Sequence, residues 1–229
     1  MGRPPFPVVV LFVPFLVFST AQAAEAKKPA KSAEESPEPI ERSPAPAHLP
    51  ESPMAELKKH DASLKKLFQR RAPSWSPESD AKRSELRKIV ANFLDFEELA
   101  KRSLAKHWDG LSTKQRLDFT LTLRDLIERS YIKQIHGSPN YDLVFEKETV
   151  DGTNATVTAT LHTTARGKKV DVAIEYKLLA RDNRWLVYDV VTDEQSMLEN
   201  YRAEFNKIIK KESFDALLRR MKRKLEEKD

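Results

Sequence analysis

No cysteine occurs anywhere in the 229 residues. That absence excludes disulfides, thiol nucleophiles, thiolate metal sites and any lipid attached through a thiol. Glycine is nearly as scarce, with five residues including Gly2. There is no glycine-rich loop to cradle a phosphate and no G-x-S-x-G nucleophile elbow. The histidines (His48, His60, His107, His136 and His162) are scattered, and none stands in a pair at metal-ligand spacing. No apolar run reaches the roughly 20 residues that a membrane-spanning helix needs. A third of the chain is charged with both signs interspersed, and the formal net charge is only +5. Phosphate binding needs clustered Lys and Arg, so this balance argues against nucleic acid as the main partner. We therefore expect no enzyme, no bound metal and no cofactor.

What is present begins with an export signal. Arg3 gives a short positive start, Val8 to Phe18 form an apolar run broken only by Pro14, and Ala21-Gln22-Ala23 supplies a small-x-small cleavage pattern. Residues 1–23 read as a cleavable signal peptide, which places the mature chain outside the cytoplasm. Its removal leaves 206 residues and takes one Arg, for a formal charge of about +4. Half of the 14 prolines then lie between Pro29 and Pro53, among Lys, Glu, Ala and Ser. Such a stretch buries too little apolar surface to offset its ordering entropy, so residues 24–53 read as a disordered linker. Residues 54–229 are left as one domain with a sizeable core. A basic run, Arg219 to Lys224, sits near the C-terminus; it reads as the solvated face of a terminal helix or as a patch that meets an anionic membrane or an acidic partner.

The domain opens with helical spacing. Met54, Leu57, Leu64, Leu67 and Phe68 share a face, and Ser76-Pro77-Glu78 starts a second helix whose stripe is Leu86, Ile89, Val90 and Phe93. Asp95 caps a short helix through Leu104, and Ser112-x-x-Gln115 is a capping box opening a long helix to about Ile135. From Tyr141 the period changes from 3.6 to 2. Tyr141–Val150, Ala155–Leu161, Val170–Leu178 and Arg184–Thr192 read as four strands, joined by turns at Asp151-Gly152, Arg166-Gly167 and Asp182-Asn183. Connections this short link only antiparallel neighbours. Two amphipathic helices follow, about Ser196–Lys211 and Ser213–Glu227. The expected class is α+β: a four-stranded antiparallel meander with helices packed on one face.

Most carboxylates stand at helix starts or on exposed strand faces. Asp189 is the exception, set in the apolar final strand, where a buried hydrogen-bonding role outweighs acid–base work. The long helix is apolar over an arc wider than one stripe, which means burial on more than one side or the lining of something apolar. Periodicity alone admits either a solid core or a cavity.

The run Asp95-Phe96-Glu97-Glu98-Leu99-Ala100, with Leu104 and Lys106-His107-Trp108, resembles the first block of the MlaC/toluene-tolerance family, auxiliary proteins of lipid ABC transporters. Phe119, Leu126-Ile127 and Tyr131 resemble its next block. Trp185 to Val191, Ser196 and Asn200-Tyr201-Arg202 with Phe205-Asn206 resemble its third. The blocks stand in the family's order and span roughly residues 55–225. Two departures lie where the family has Gly: Ala105, and the Asp193-Glu194-Gln195 connection. The resemblance implies a nuclear-transport-factor-like cone, a bent sheet wrapped by helices, working in the periplasm. It implies a phospholipid carrier, with an inner-membrane lipid ABC transporter complex and an outer-membrane lipoprotein/porin complex as partners and no need to oligomerise. A carrier of another apolar lipid, such as a hopanoid, would use nearly the same residues, whereas a ligand-free adaptor that bridges transporter parts would have a filled core. On this reading the acyl-chain walls would be Phe119, Leu123, Ile127 and Tyr131 on the long helix, Val172, Ile174 and Tyr176 on the third strand, Tyr188 and Val190 on the fourth, and Tyr201 and Phe205 on the following helix.

Overall fold

The computed structural model describes residues 51–69, 77–134, 141–165 and 167–227. The signal peptide and nearly all of the proline-rich linker lie outside them. Chain order is α1 (Pro53–Gln69), α2 (Pro77–Phe93), α3 (Phe96–Leu104), a 3₁₀ turn (Ala105–His107), α4 (Thr113–Gln134), β1 (Tyr141–Asp151), β2 (Asn154–Ala165), β3 (Lys168–Arg181), β4 (Arg184–Thr192), β5 (Gln195–Ser196), α5 (Met197–Lys211) and α6 (Phe214–Glu226).

Side-chain caps set the helix starts. Asp95, Ser196 and Ser213 each accept a hydrogen bond from the backbone N–H three residues on, at 2.9, 3.0 and 3.1 Å. Ser112 and Gln115 form the reciprocal capping box: the Ser112 backbone N–H donates to Gln115 Oε1 at 3.0 Å, and the Gln115 N–H to Ser112 Oγ at 3.3 Å. α1 is capped twice. Ser52 Oγ accepts from the Ala55 N–H and donates to Glu148 Oε2 of β1, which also accepts from the Met54 N–H.

The strands form one antiparallel sheet in the order β1-β2-β3-β4-β5. The α+β class holds, but the sheet has five strands where four were expected. The fifth exists because Asp193 and Glu194 both take positive φ, 47° and 64°. Two such residues make the hairpin turn whose twist matches the flanking strands, and Gln195-Ser196 folds back to pair with Thr192 and Val191. Asp182-Asn183 repeats the arrangement with φ of 50° and 57° between β3 and β4.

Register shifts interrupt two ladders, at Phe145/Lys147 in β1 and opposite Lys177/Leu178 in β4. An extra residue bends and twists its strand. In β4 the extra residue is Tyr188, so Val187 and Val190 are the ones that meet Leu178 and Tyr176. α1 packs on β1, β2 and α2; α3 and α5 pack on β4 and on each other; α4 packs mainly on α6, α3 and α2. With helices packing on β4 from α2 as well as from α3 and α5, all six residues from Trp185 to Val190 are buried.

Candidate functional site

The cleanest alternation in the sequence becomes the inner face of the sheet. Val172, Ile174 and Tyr176 on β3 are almost wholly buried and pair across β2 with Leu161, Ala159 and Val157. α1 and α2 cover this face. Phe93 meets the Tyr176 ring edge-on with centroids 6.2 Å apart, and Phe145 of β1 stands 6.4 Å away on another side. Between them lies a cavity of about 10 Å³, lined by Leu57, His60, Asp61, Phe93, Leu143, Phe145 and Tyr176. That is room for about one water molecule.

Its rim is polar. Tyr141 Oη donates to Asp61 Oδ1 at 2.9 Å, and Lys65 Nζ lies 3.0 Å from Asp61 Oδ2 and 5.2 Å from the Tyr141 ring centroid. Burial, reinforced by the neighbouring Asp61 carboxylate, pushes the Tyr141 phenol well above its usual range; it stays protonated and remains a donor. Burial also lowers the pKa of His60, against the pull of Glu56. These polar rim residues and the aromatic covers Phe93 and Phe145 were not among the expected wall positions. Asp61 did leave a trace in the sequence, since it interrupts the apolar stripe Leu57–Asp61–Leu64 of α1.

The remaining expected walls lie elsewhere in the same continuous core. Phe119 of α4 packs edge-on against Phe205 of α5 at 5.5 Å and lies tilted against Phe214 of α6 at 6.0 Å, while Tyr201 stacks on Phe205 at 5.5 Å. Leu123 and Ile127 are fully buried beside them on α4, and Val190 is fully buried on β4. The side chain of Tyr131 lies outside the described residues. Tyr188 stands apart: Arg102 of α3 covers its ring at 4.2 Å and is held by Glu98 at 2.6 Å. The expected wall thus divides into a sheet group under α1–α2 and an aromatic group between α4, α5 and α6.

Asp189 is buried and structural. Its two oxygens accept from Ser196 Oγ at 2.7 Å and from the Leu198 N–H at 2.9 Å, tying β4 to the start of α5. Other residues of the three sequence blocks also act as clasps. His107 Nε2 lies 2.9 Å from Asn206 Oδ1, and Arg202 Nε donates to the Arg102 carbonyl at 3.1 Å. Asp95 meets Arg181 Nη1 at 3.1 Å, and burial raises its pKa despite the Glu98 N–H and that guanidinium. Among the described residues, no group of three or more His, Asp or Glu could hold a metal ion. Nor is any described helix long and apolar enough to cross a membrane.

Comparison with known proteins agrees with this architecture. A solved structure from Ralstonia solanacearum, described as a phospholipid-binding protein in complex with a phospholipid, matches with a TM-score of 0.61 at 16% identity, covering 76% of this chain and 96% of that one. The intermembrane phospholipid transport system binding protein MlaC of Haemophilus influenzae is 25% identical over 142 residues, which are 59% of this chain and 66% of that protein's length. The family model described as MlaC protein matches residues 60–223, so the chain belongs to the MlaC family.

Proposed function

We propose that this chain is a phospholipid-binding transport protein that carries lipid through the periplasm between the outer membrane and an inner-membrane ABC transporter. The observation that carries the reading is the continuous apolar core. It runs from Val172, Ile174 and Tyr176 beneath α1 and α2 to the Phe119–Phe205–Phe214 cluster. Membership of the MlaC family supports it, as does the phospholipid held by the structural neighbour from Ralstonia solanacearum. Two acyl chains of roughly 15 methylenes each, at about 0.8 kcal/mol per methylene, lose more than ~20 kcal/mol on transfer to water. A carrier must supply an equivalent apolar surface. The 10 Å³ space beside Tyr176 is far below the roughly 300–1,000 Å³ of a ligand pocket. In this reading lipid therefore enters by parting α1 and α2 from the sheet.

The test is to purify the exported protein from its native host, extract it with organic solvent and identify the extract by mass spectrometry. Stoichiometric phospholipid is the expected result, and lipid-free protein would refute the reading. The tight packing at Tyr176 favours one alternative, a ligand-free adaptor between membrane complexes, which would give that empty extract. A hopanoid in place of phospholipid would make it a carrier of another apolar lipid.

A further inference from the structure

The net charge of the chain is concentrated in one place. Residues 207–226, the last turn of α5 through the end of α6, hold eight basic and three acidic residues. Their net charge of +5 equals that of the whole chain, so the other residues sum to zero. Part of this charge is neutralised locally: Arg220 pairs with Glu212, and Lys222 Nζ lies 2.7 Å from Asp118 Oδ2 on α4. Lys207, Lys210, Lys211, Arg219 and Arg223 are exposed, and no acidic group pairs with them among the described residues. Arg219 and Arg223 stand one turn apart on the outer side of α6, opposite the buried Leu217 and Met221.

A second feature adjoins the first. Leu117 and Leu121 of α4 are 58% and 39% exposed, one turn apart, and they flank the Asp118 that grips Lys222. Exposed leucines beside exposed unpaired cations are the composition of a helix surface that settles into the headgroup region of a bilayer. Acidic phospholipid supplies a diffuse anionic sheet that needs no preformed pocket, and apolar side chains gain by entering it. A soluble acidic polymer would use the cations but not the leucines.

We propose that the α4–α6 face, with Arg219 and Arg223 at its basic side and Leu117 and Leu121 at its apolar side, docks this protein on a bilayer rich in anionic phospholipid. The inference rests on the phospholipid-carrier reading, in which the protein works between two membranes.

Flotation with vesicles tests it, using phosphatidylcholine alone and phosphatidylcholine with about 30% phosphatidylglycerol. The exported protein is expected to bind the anionic vesicles at least about tenfold better. Raising salt from about 0.1 to about 1 M should abolish the difference, as the screening length falls from ~10 to ~3 Å. With about fivefold per cation, the double variant R219Q/R223Q should bind about 25-fold more weakly. L121S should bind more weakly too, and circular dichroism should be unchanged because all three positions are on the surface. Equal binding to both vesicle types, or unchanged binding by R219Q/R223Q, would overturn the proposal. So would capture of the protein by soluble polyglutamate in preference to vesicles, which would assign the face to an acidic protein. Lipid extraction of the same preparations keeps the two readings separate. Variants that retain phospholipid but lose vesicle binding support docking alone, whereas phospholipid carriage with no preference for anionic vesicles overturns docking alone.

Discussion

His60 lies edge-on to Phe93 with ring centroids 5.4 Å apart, and its Nε2 is buried without a hydrogen-bond partner. Glu56 Oε1 is 3.3 Å away but off the line of a hydrogen bond. Burial therefore prevails over the carboxylate and lowers the imidazole pKa from 6.5. Between that lowered value and 6.5 the unfolded chain binds a proton that the folded chain does not. Stability is thus complete above pH 6.5 and falls on acidification, by at most about 1.4 kcal/mol per pH unit. Urea unfolding across this range should give a slope that His60→Gln flattens. Identical slopes for the two proteins would remove His60 as the cause.

Ala105 ends α3 with φ 46° and ψ −123°, a conformation open to glycine and strained by about 1–3 kcal/mol for a residue with Cβ. Ala105→Gly should relieve part of that strain and stabilise the fold by about 1 kcal/mol, after the added entropy of glycine in the unfolded chain. Thermal unfolding should then shift upward by about 2–4 °C. A lower midpoint would mean that the turn is not strained.

Much of this fold is legible because its instructions are local. Asp95, Ser112 with Gln115, Ser196 and Ser213 each announce a helix within four residues, and each makes the hydrogen bond that its position implies. β5 is not legible, because its turn is made by Asp193 and Glu194 rather than by glycine, the residue that advertises positive φ. The bulge at Tyr188 is hidden for another reason: helices cover β4 so fully that its burial carries no alternation to break. Asp61 shows as a break in the α1 stripe, but its pairing is illegible because its partner Tyr141 lies 80 residues away. Of the residues that carry the family resemblance, His107 and Asn206 hold the 3₁₀ turn after α3 to α5, and neither lines the small cavity beside Tyr176.

Asp189 anchors the start of α5 through Ser196 and Leu198, and Lys177 Nζ is 3.9 Å from it. Asp189→Ala strands a buried N–H and removes two charge-assisted bonds, each typically about 1.5–3 kcal/mol. A loss of about 3 kcal/mol is expected in chemical denaturation. Asp189→Asn keeps an acceptor for the Leu198 N–H and should lose about 1 kcal/mol. Equal losses from the two variants would show that charge, rather than hydrogen bonding, is what β4 and α5 share.

The proposed entry of lipid between α1 and the sheet can be tested by crosslinking, because the chain has no native cysteine to confuse it. Lys65 of α1 reaches Asp142 of β1, with Nζ 3.8 Å from Oδ1, across the seam beside the cavity. This contact is exposed, since the Asp142 side chain is mostly in solvent, and an exposed ion pair contributes at most about 1 kcal/mol. Replacing both residues with cysteine also removes the Lys65–Asp61 pair, but Asp61 keeps the Tyr141 Oη donor; circular dichroism should show the fold retained, and a short bismaleimide would then tether α1 to β1. If acyl chains enter by parting α1 from the sheet, the tethered protein should take up phospholipid from donor vesicles at least about tenfold more slowly than the same variant unlinked, a barrier increase of about 1.4 kcal/mol. Uptake followed by a tail-labelled phospholipid reads this directly. Equal rates for the linked and unlinked forms would place the entrance away from this seam, with the Phe119–Phe205–Phe214 cluster between α4, α5 and α6 as the next to tether.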